Sequence, residues 1–187
     1  MNLVCFPVTI GGDGFIGKYL VKDNPDMYVV EGRDSLEPAL PEILYLTSTV
    51  TNYNVFVNPF VDIETNQIHT IRVLDNARKK FGRDVVFNFV STWFVYGKTD
   101  NPAHEDSVCN PNGFYSITRY AGELLVRSYC EVFGIRYRIL RLANVIGVGD
   151  LKASLTKNAL VYLLQEISKG KPIKIYDSPS YRDCLGS

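Results

Sequence analysis

The 187-residue sequence has no long hydrophobic run. None of its segments reaches the roughly 18 uninterrupted apolar residues that cross a bilayer, which excludes a spanning helix. It also has no excess of charge of one sign. Twenty Lys+Arg stand against twenty Asp+Glu, and the pI is near 6.7, so bulk charge recruits neither nucleic acid nor a membrane surface. Histidine is scarce, with two residues, and the cysteines Cys5, Cys109, Cys130 and Cys184 are scattered, with no CxxC or Cys/His cluster to hold zinc or form a redox pair. They read as reduced thiols, which places the chain in the cytoplasm. The opening MNLVCFPVTI is apolar, but no basic residue precedes it and it leads into glycines, so no signal peptide is expected. Repeats and low-complexity linkers are missing too. What is present is 46% hydrophobic and 12% aromatic residues, the composition of one globular domain. A chain of this length buries roughly 70% of its unfolded surface and needs no disulfide or metal.

Short apolar runs alternate with helix-like stretches, a pattern that predicts an α/β fold with a parallel sheet. Strands are expected at Leu3–Ile10, Met27–Glu31, Ile43–Thr47, Val85–Ser91, Arg136–Leu142 and Ile173–Tyr176. Several are apolar throughout, as strands covered on both faces should be. Helices are expected at Phe15–Lys22, Asp62–Phe81, Tyr115–Phe133 and Thr156–Lys169, and each of the three long ones stops just before a glycine.

Gly11-Gly12-Asp13-Gly14-Phe15-Ile16-Gly17 follows the first strand and opens the first helix. In that setting glycines let the backbone turn sharply and approach a pyrophosphate, whose charge meets the N–H groups and dipole of the helix N-terminus. Gly11, Gly14, Phe15, Ile16 and Gly17 are therefore candidate cofactor-binding positions. Asp13 must point away from such a phosphate. Glu31 lies about 20 residues beyond the first glycine, where an acid accepts the adenosine ribose hydroxyls. It could equally be a solvated carboxylate at a strand end. Arg33 could instead hold a 2′-phosphate and shift the preference to NADP.

Beyond the apolar Val85–Val90 comes Ser91-Thr92-Trp93-Phe94-Val95-Tyr96-Gly97, and Tyr115-Ser116-Ile117-Thr118-Arg119 opens a later helix. In order, GGDGFIG, STWFVYG, FYSITRYAGELL, RLANVIG and YRD resemble the NAD-dependent epimerase/dehydratase family, the extended short-chain dehydrogenases that act on nucleotide sugars. The resemblance covers nearly the whole chain. It implies a Rossmann-like doubly wound parallel sheet, NAD (or NADP) as cofactor, a nucleotide-sugar partner, and a homodimer packed through the helices matching Asp62–Phe81 and Tyr115–Phe133. Tyr115 takes the place of the catalytic tyrosine, Thr92 that of the residue bonding the sugar oxygen, and Arg119 that of the lysine one helical turn on. A phenol with a pKa near 10 acts as a base near neutrality only when a cation steadies its phenolate, and position i+4 brings such a cation to the same helix face. Thr47 and Ser48 match small residues beside the cofactor, or simply end a strand. Asn66 matches an asparagine near the active site, or a polar residue on the solvent face. Arg141 and Asn144 match the entrance to the substrate region, with Asn144 touching the sugar nucleotide. Arg182, with Asp183, matches the RD motif that opens the substrate lobe. Trp93 and Phe94 stand where the family's dehydratases carry an Asp-Glu acid pair, which favours epimerisation or simple oxidoreduction over dehydration. His69 and His104 have no evident partner in the sequence and are assigned to surface or helix positions.

Two departures from the family pattern stand out. From Lys18 to Glu42 there are 25 residues, fewer than a βαβ unit of about 30 residues requires, so one βα unit is missing. Either Tyr28–Glu31 is the second strand and the third is lost, or Val29–Asp34 is the third, with Asp34 in the adenine-contacting place and the second lost. The second alignment fits the sequence VVEGRDSLEPALPEILYL somewhat better. The chain also stops early in the substrate lobe. The expected division is a Rossmann-like core over 1–150 and the start of an incomplete substrate-binding lobe over 151–187. Two functions follow as expectations: a nucleotide-sugar epimerase or related oxidoreductase, or an impaired relative that binds nucleotide weakly or acts as an oligomer partner.

Overall fold

The computed structural model describes residues 7–51, 53–99, 102–147, 159–173 and 184–186. Strands β1 (Val8–Ile10), β2 (Val29–Glu31), β3 (Glu42–Tyr45), β4 (Val86–Thr92) and β5 (Arg136–Leu142) form one parallel sheet in the order β2-β1-β3-β4-β5. The helices are α1 (Phe15–Asp23), α2 (Phe60–Ile63), α3 (Thr70–Phe81), α4 (Phe114–Phe133) and α5 (Ala159–Ser168). A second, two-stranded parallel sheet pairs β6 (Asn144–Ile146) with β7 (Cys184–Gly186). Neither strand of that pair is anticipated by the periodicity, while the strand expected at Ile173–Tyr176 and the domain division at 150 run into residues outside those described.

Hydrophobic burial sets this arrangement. Val8, Ile10, Ile43, Tyr45, Phe87 and Phe89 of the sheet are fully enclosed, as are Val73, Leu74 and Ala77 of α3 and Val126 and Cys130 of α4. The buried residues of α3, Thr70, Val73, Leu74 and Ala77, fall at i, i+3, i+4 and i+7, the stripe a helix needs to lie on a sheet. α4 approaches closely because Gly122 lacks a side chain: a Cβ there would sit 2.8 Å from the Asn66 carbonyl oxygen. Burial pushes the Cys130 thiol up to about 12. The expected single helix over Asp62–Phe81 is helical throughout but not uniform, because Glu64–His69 forms a π-helical stretch between α2 and α3. The wider turn changes which residues face inward, and it turns Asn66 into the protein.

The missing βα unit is visible in the topology. β1 leads through α1 to β2 on one side, whereas β3 lies on the other side of β1, and residues 32–41, which join β2 to β3, contain no helix. Val29–Glu31 pairs directly with β1, with Ile10 opposite Glu31. In space, therefore, the first alignment holds and the second, better-fitting in sequence, is corrected: this strand sits beside β1, and the sheet ends at it. The connection is held by side chains instead of a helix. Glu31 accepts from Ser35 Oγ at 2.5 Å and from the Ala39 N–H at 2.8 Å, Asn76 donates to the Leu36 carbonyl and Lys80 to the Pro38 carbonyl. Leu36 and Leu40 pack against the core below.

Asp75 joins α3 to α4. It pairs with Lys79 at 2.7 Å and Arg78 at 2.9 Å and accepts the Tyr129 hydroxyl. Lys79 first, then Tyr129 and Arg78, hold its carboxyl well below the usual carboxylate range. Such a group contributes stability that is fully present above its unfolded pKa of about 3.9 and is lost as pH falls toward the depressed folded value. Urea unfolding midpoints at pH 7, 4 and 2.5 should therefore fall more steeply below pH 4 in the parent protein than in Asp75→Asn.

Candidate active site

Strand order reverses at β1, and in open α/β sheets the crevice outside the carboxyl ends of strands at such a switch point is where ligands bind. Here it lies between the loop after β1 and the loop after β3. Gly11 has φ +80°, a left-handed conformation that suits glycine, and its absent side chain would meet Thr47 Oγ1 at 3.0 Å. A Cβ on Gly17 would lie 2.4 Å from Gly12 Cα, so the start of α1 is drawn tightly onto the loop. The first-turn N–H groups at Phe15, Ile16 and Gly17 have no intrahelical acceptor and face outward from the N-terminus. Asp13 is exposed. This backbone fits a pyrophosphate: a tight turn and a helix end whose first N–H groups have no backbone acceptor among the described residues.

Next to it is a polar cavity of about 300 Å³ lined by Arg33, Asp34, Thr47, Glu64, His69 and Arg72, among others. Thr47 Oγ1 donates to the Arg33 carbonyl at 3.2 Å, and Arg33 reaches the Ser48 carbonyl at 3.5 Å, so the loop after β2 lies over the end of β1. Thr47 is thus beside Gly11 of the glycine loop, and the Ser48 carbonyl faces Arg33. Glu31 is near in sequence but not free, since both carboxylate oxygens are taken by the 35–39 loop. His69 lies at a helical position, as expected, but has a partner the sequence did not show. It shares a 2.7 Å hydrogen bond with the Tyr45 hydroxyl across 24 residues of sequence, and its Nε2 is enclosed without a partner. Burial lowers its pKa, while the backbone and the charge of Asp34 act in the opposite sense. Desolvation in the same cluster raises the Tyr45 phenol to about 12.

At the end of β4, Thr92 is nearly buried and its Oγ1 accepts from the Phe94 N–H at 3.3 Å, which starts a 3₁₀ turn over Trp93–Tyr96 and leaves the Thr92 hydroxyl proton available. Tyr115, in the first turn of α4, is half-buried and sits edge-on to Phe94 with ring centroids 6.1 Å apart. Trp93 stacks on Phe94 and donates from Nε1 at 3.3 Å to Oδ1 of Asn144, the residue matched to the sugar-nucleotide contact. Arg119 is 1% exposed. Its guanidinium donates to the Val90 carbonyl, lies 3.5 Å from Asn66 Oδ1 and sits 4.6 Å from the Phe89 ring centroid, while Nε has no partner. Desolvation lowers its pKa, and the negative charge that Tyr115 can carry acts in the opposite sense. Asn66, matched in sequence to an asparagine near the active site or to a solvent-facing residue, does not face solvent and lies beside Arg119. It is fully buried: its amide nitrogen donates to Thr49 Oγ1 and Thr118 Oγ1, and its oxygen accepts from the Thr49 N–H. Arg182 lies outside the described residues.

A sequence model described as the NAD dependent epimerase/dehydratase family matches residues 33–185. The chain belongs to this family. It is 26% identical over 168 residues to a Methanocaldococcus jannaschii protein provisionally named UDP-glucose 4-epimerase, matching 73% of this chain and 55% of that one. The chain thus spans about half the length of that curated relative. Among solved structures it resembles UDP-glucuronic acid 4-epimerase from Bacillus cereus in complex with UDP-glucuronic acid and NAD, with TM-score 0.77, 23% identity and coverage of 97% of this chain and 68% of that one. It also resembles RMD from Pseudomonas aeruginosa complexed with NADPH, with TM-score 0.80, 20% identity and coverage of 97% and 68%. These likenesses show the fold.

Within this family member one buried ion pair joins the candidate site to the sheet edge, and sequence reasoning missed it. Glu123, two turns after Tyr115, is 1% exposed; it pairs with Arg141 at 2.8 Å and accepts the Ser91 hydroxyl. Arg141 also lies over the Tyr96 ring, and the Glu123 carboxylate raises its pKa. Arg141, expected at the substrate entrance, is thereby committed to the protein, although it lines a larger cavity of about 840 Å³ with Trp93 and Tyr96. The i+8 spacing from Tyr115 was the signal available, but it does not reveal a partner 18 residues further on. Removing one member of a buried pair leaves the other charge uncompensated, at about 3–5 kcal/mol. Glu123→Ala should lose that much in urea unfolding at pH 7, and Glu123→Gln clearly less.

Proposed function

We propose that the chain is an NAD(P)-dependent nucleotide-sugar epimerase or a related sugar-nucleotide oxidoreductase. The carrying observation is that one sheet presents a glycine loop suited to a pyrophosphate after β1 and, two strands along at the end of β4, Thr92, with Tyr115 of α4 beside Phe94. Gly11, Gly14 and the first turn of α1 would hold the pyrophosphate, and Thr47 and Ser48 would flank the bound cofactor. When bound, the nicotinamide supplies a hydride acceptor and donor.

Tyr115 takes the proton of the reacting sugar hydroxyl at its phenolic oxygen. Arg119 favours the phenolate through its positive charge, held in the protein by Val90 and Asn66. Thr92, with its oxygen already accepting from Phe94, donates its own proton to the sugar oxygen. Trp93 and Asn144, bonded to each other, line the substrate side, and Arg182 belongs to the start of a substrate-binding lobe over 151–187. Asn66 acts by position: it ties the π-helical stretch to the Thr49 loop and to α4, so that Tyr115 and Arg119 keep their places.

Two apolar faces support a homodimer. Ile68 on Asp62–Phe81, with Phe60 and Val61 just ahead of it, and Ile117, Leu124 and Val132 along α4 are exposed hydrophobic side chains on or beside the two helical segments expected to pair. The free thiols Cys109 and Cys130 suit a reducing cytoplasm, and among the described residues no helix is long and apolar enough to cross a membrane.

Trp93 is the one tryptophan of the sequence and lines the larger cavity, so its emission reports on the site. Titration with a reduced nicotinamide dinucleotide, then with UDP-sugars, should give saturable changes. Tyr115→Phe should retain cofactor binding and lose about 100-fold or more in turnover, the range that a positioned acid/base contributes. Absence of dinucleotide binding up to millimolar concentration would overturn the reading. Light scattering should give twice the chain mass, and Phe60→Asp with Ile117→Asp should give the single mass.

A further inference from the structure

Resting on that reading of the site, we propose that the sugar it takes is a 6-deoxy sugar, with a methyl group where an ordinary hexose carries a hydroxymethyl, and that Trp93 and Phe94 select it. Both stand in the 3₁₀ turn Trp93–Tyr96 that follows Thr92. Of that turn only Val95 is buried in the protein, whereas Trp93 and Phe94 are half-buried, so core packing does not account for two large aromatic side chains here. What they build is a wall beside the reacting groups. Phe94 meets the Tyr115 ring edge-on with centroids 6.1 Å apart, and Trp93 stacks on Phe94 at 4.5 Å with the planes 23° apart. A sugar whose hydroxyl reaches both the Tyr115 phenol and Thr92 Oγ1 lays its neighbouring carbon atoms against these rings.

The polar groups of this wall are already spent. The indole N–H, the one polar group on the two side chains, donates to Asn144 Oδ1 at 3.3 Å, and the Phe94 main-chain N–H donates to Thr92 Oγ1. Beyond Trp93 the surface continues through Leu140, Leu142 and Ala143 of the larger cavity. Two guanidinium groups lie near and neither is available: Arg119 is enclosed and bonds the Val90 carbonyl, and Arg141 is paired with Glu123. Arg127, also on the cavity wall, comes three turns after Tyr115, about 18 Å along α4, too far to meet a ring held at Tyr115. A hydroxymethyl laid on this wall gives up water without gaining a partner, and a carboxylate gives up far more. A methyl group instead buries carbon on carbon. An apolar surface rejects an added hydroxyl by about 100-fold at most, and a half-exposed one should do so by about tenfold.

Isothermal titration of the full chain, with and without NADH, tests this without turnover, using UDP- and dTDP-linked sugars that differ only in bearing a methyl, hydroxymethyl or carboxylate at C6. Within each series the methyl member is expected to bind about tenfold tighter than the hydroxymethyl member, and the carboxylate member most weakly. Phe94→Asn and Trp93→Asn should each bring the methyl to hydroxymethyl affinity ratio toward one. Trp93→Phe, which keeps an aromatic ring and drops the N–H, should preserve it. Each ratio is taken within one variant, so a loss of folded protein cancels. Hydroxymethyl or carboxylate members binding as tightly as the methyl member, or a ratio unmoved in both asparagine variants, overturns the proposal while leaving the nucleotide-sugar reading intact. Failure of every sugar nucleotide to bind overturns the reading and the proposal together.

Discussion

The chain must pass from β2 across the end of β1 to β3 in ten residues, 32–41, with no helix to carry it. Much of the structure answers that constraint. Parallel strands are ordinarily joined by a helix that covers one face of the sheet. Here Leu36 and Leu40 cover that face, α3 reaches over to bond the carbonyls of Leu36 and Pro38, and Glu31 clasps the loop from below. The short crossing also lays Arg33 and Asp34 against Thr47, so that the loop supplies one wall of the polar cavity at the switch point.

On the other side of the site, order comes from polar groups buried between the π-helical stretch, α4 and the ends of β4 and β5. Asn66, Thr49, Thr118 and Arg119 form one hydrogen-bonded cluster, and Glu123, Ser91 and Arg141 form another one turn further along α4. Such layers add little net stability compared with an apolar core, because desolvating the charges costs about as much as pairing them returns. What they specify is position. The first turn of α4, which carries Tyr115, is held at a fixed height over the end of β4, which carries Thr92.

Arginine at 119 fits this layer in a way its chemistry explains. A planar guanidinium can lie over the Phe89 ring while its edge bonds a strand carbonyl, so an enclosed cation is tolerated with no carboxylate paired to it among the described residues. Glu123, the nearest acid along the helix, is already committed to Arg141.

The strands at Val86–Thr92 and Arg136–Leu142, the long helices with glycine behind them, the glycine loop and the missing βα unit were all legible in the sequence, because each depends on neighbours in the chain: periodicity, caps and spacing. The π-helical stretch was not, since its extra residue per turn is forced by packing against Gly122 and the Thr49 loop. Nor was the fate of individual polar side chains. Asn66 and Arg141 look like site residues in sequence and are bonded inward, Glu31 looks like a ribose acid and holds a loop, and His69 looks partnerless and meets Tyr45. The sequence by itself determined the α/β class, the order of motifs and the membership of the family, all of which are local patterns. Which charges were left free to face a ligand was decided only in the tertiary structure, because a carboxylate or guanidinium bonds whatever the fold brings within about 3 Å, and most of those partners lie far along the chain.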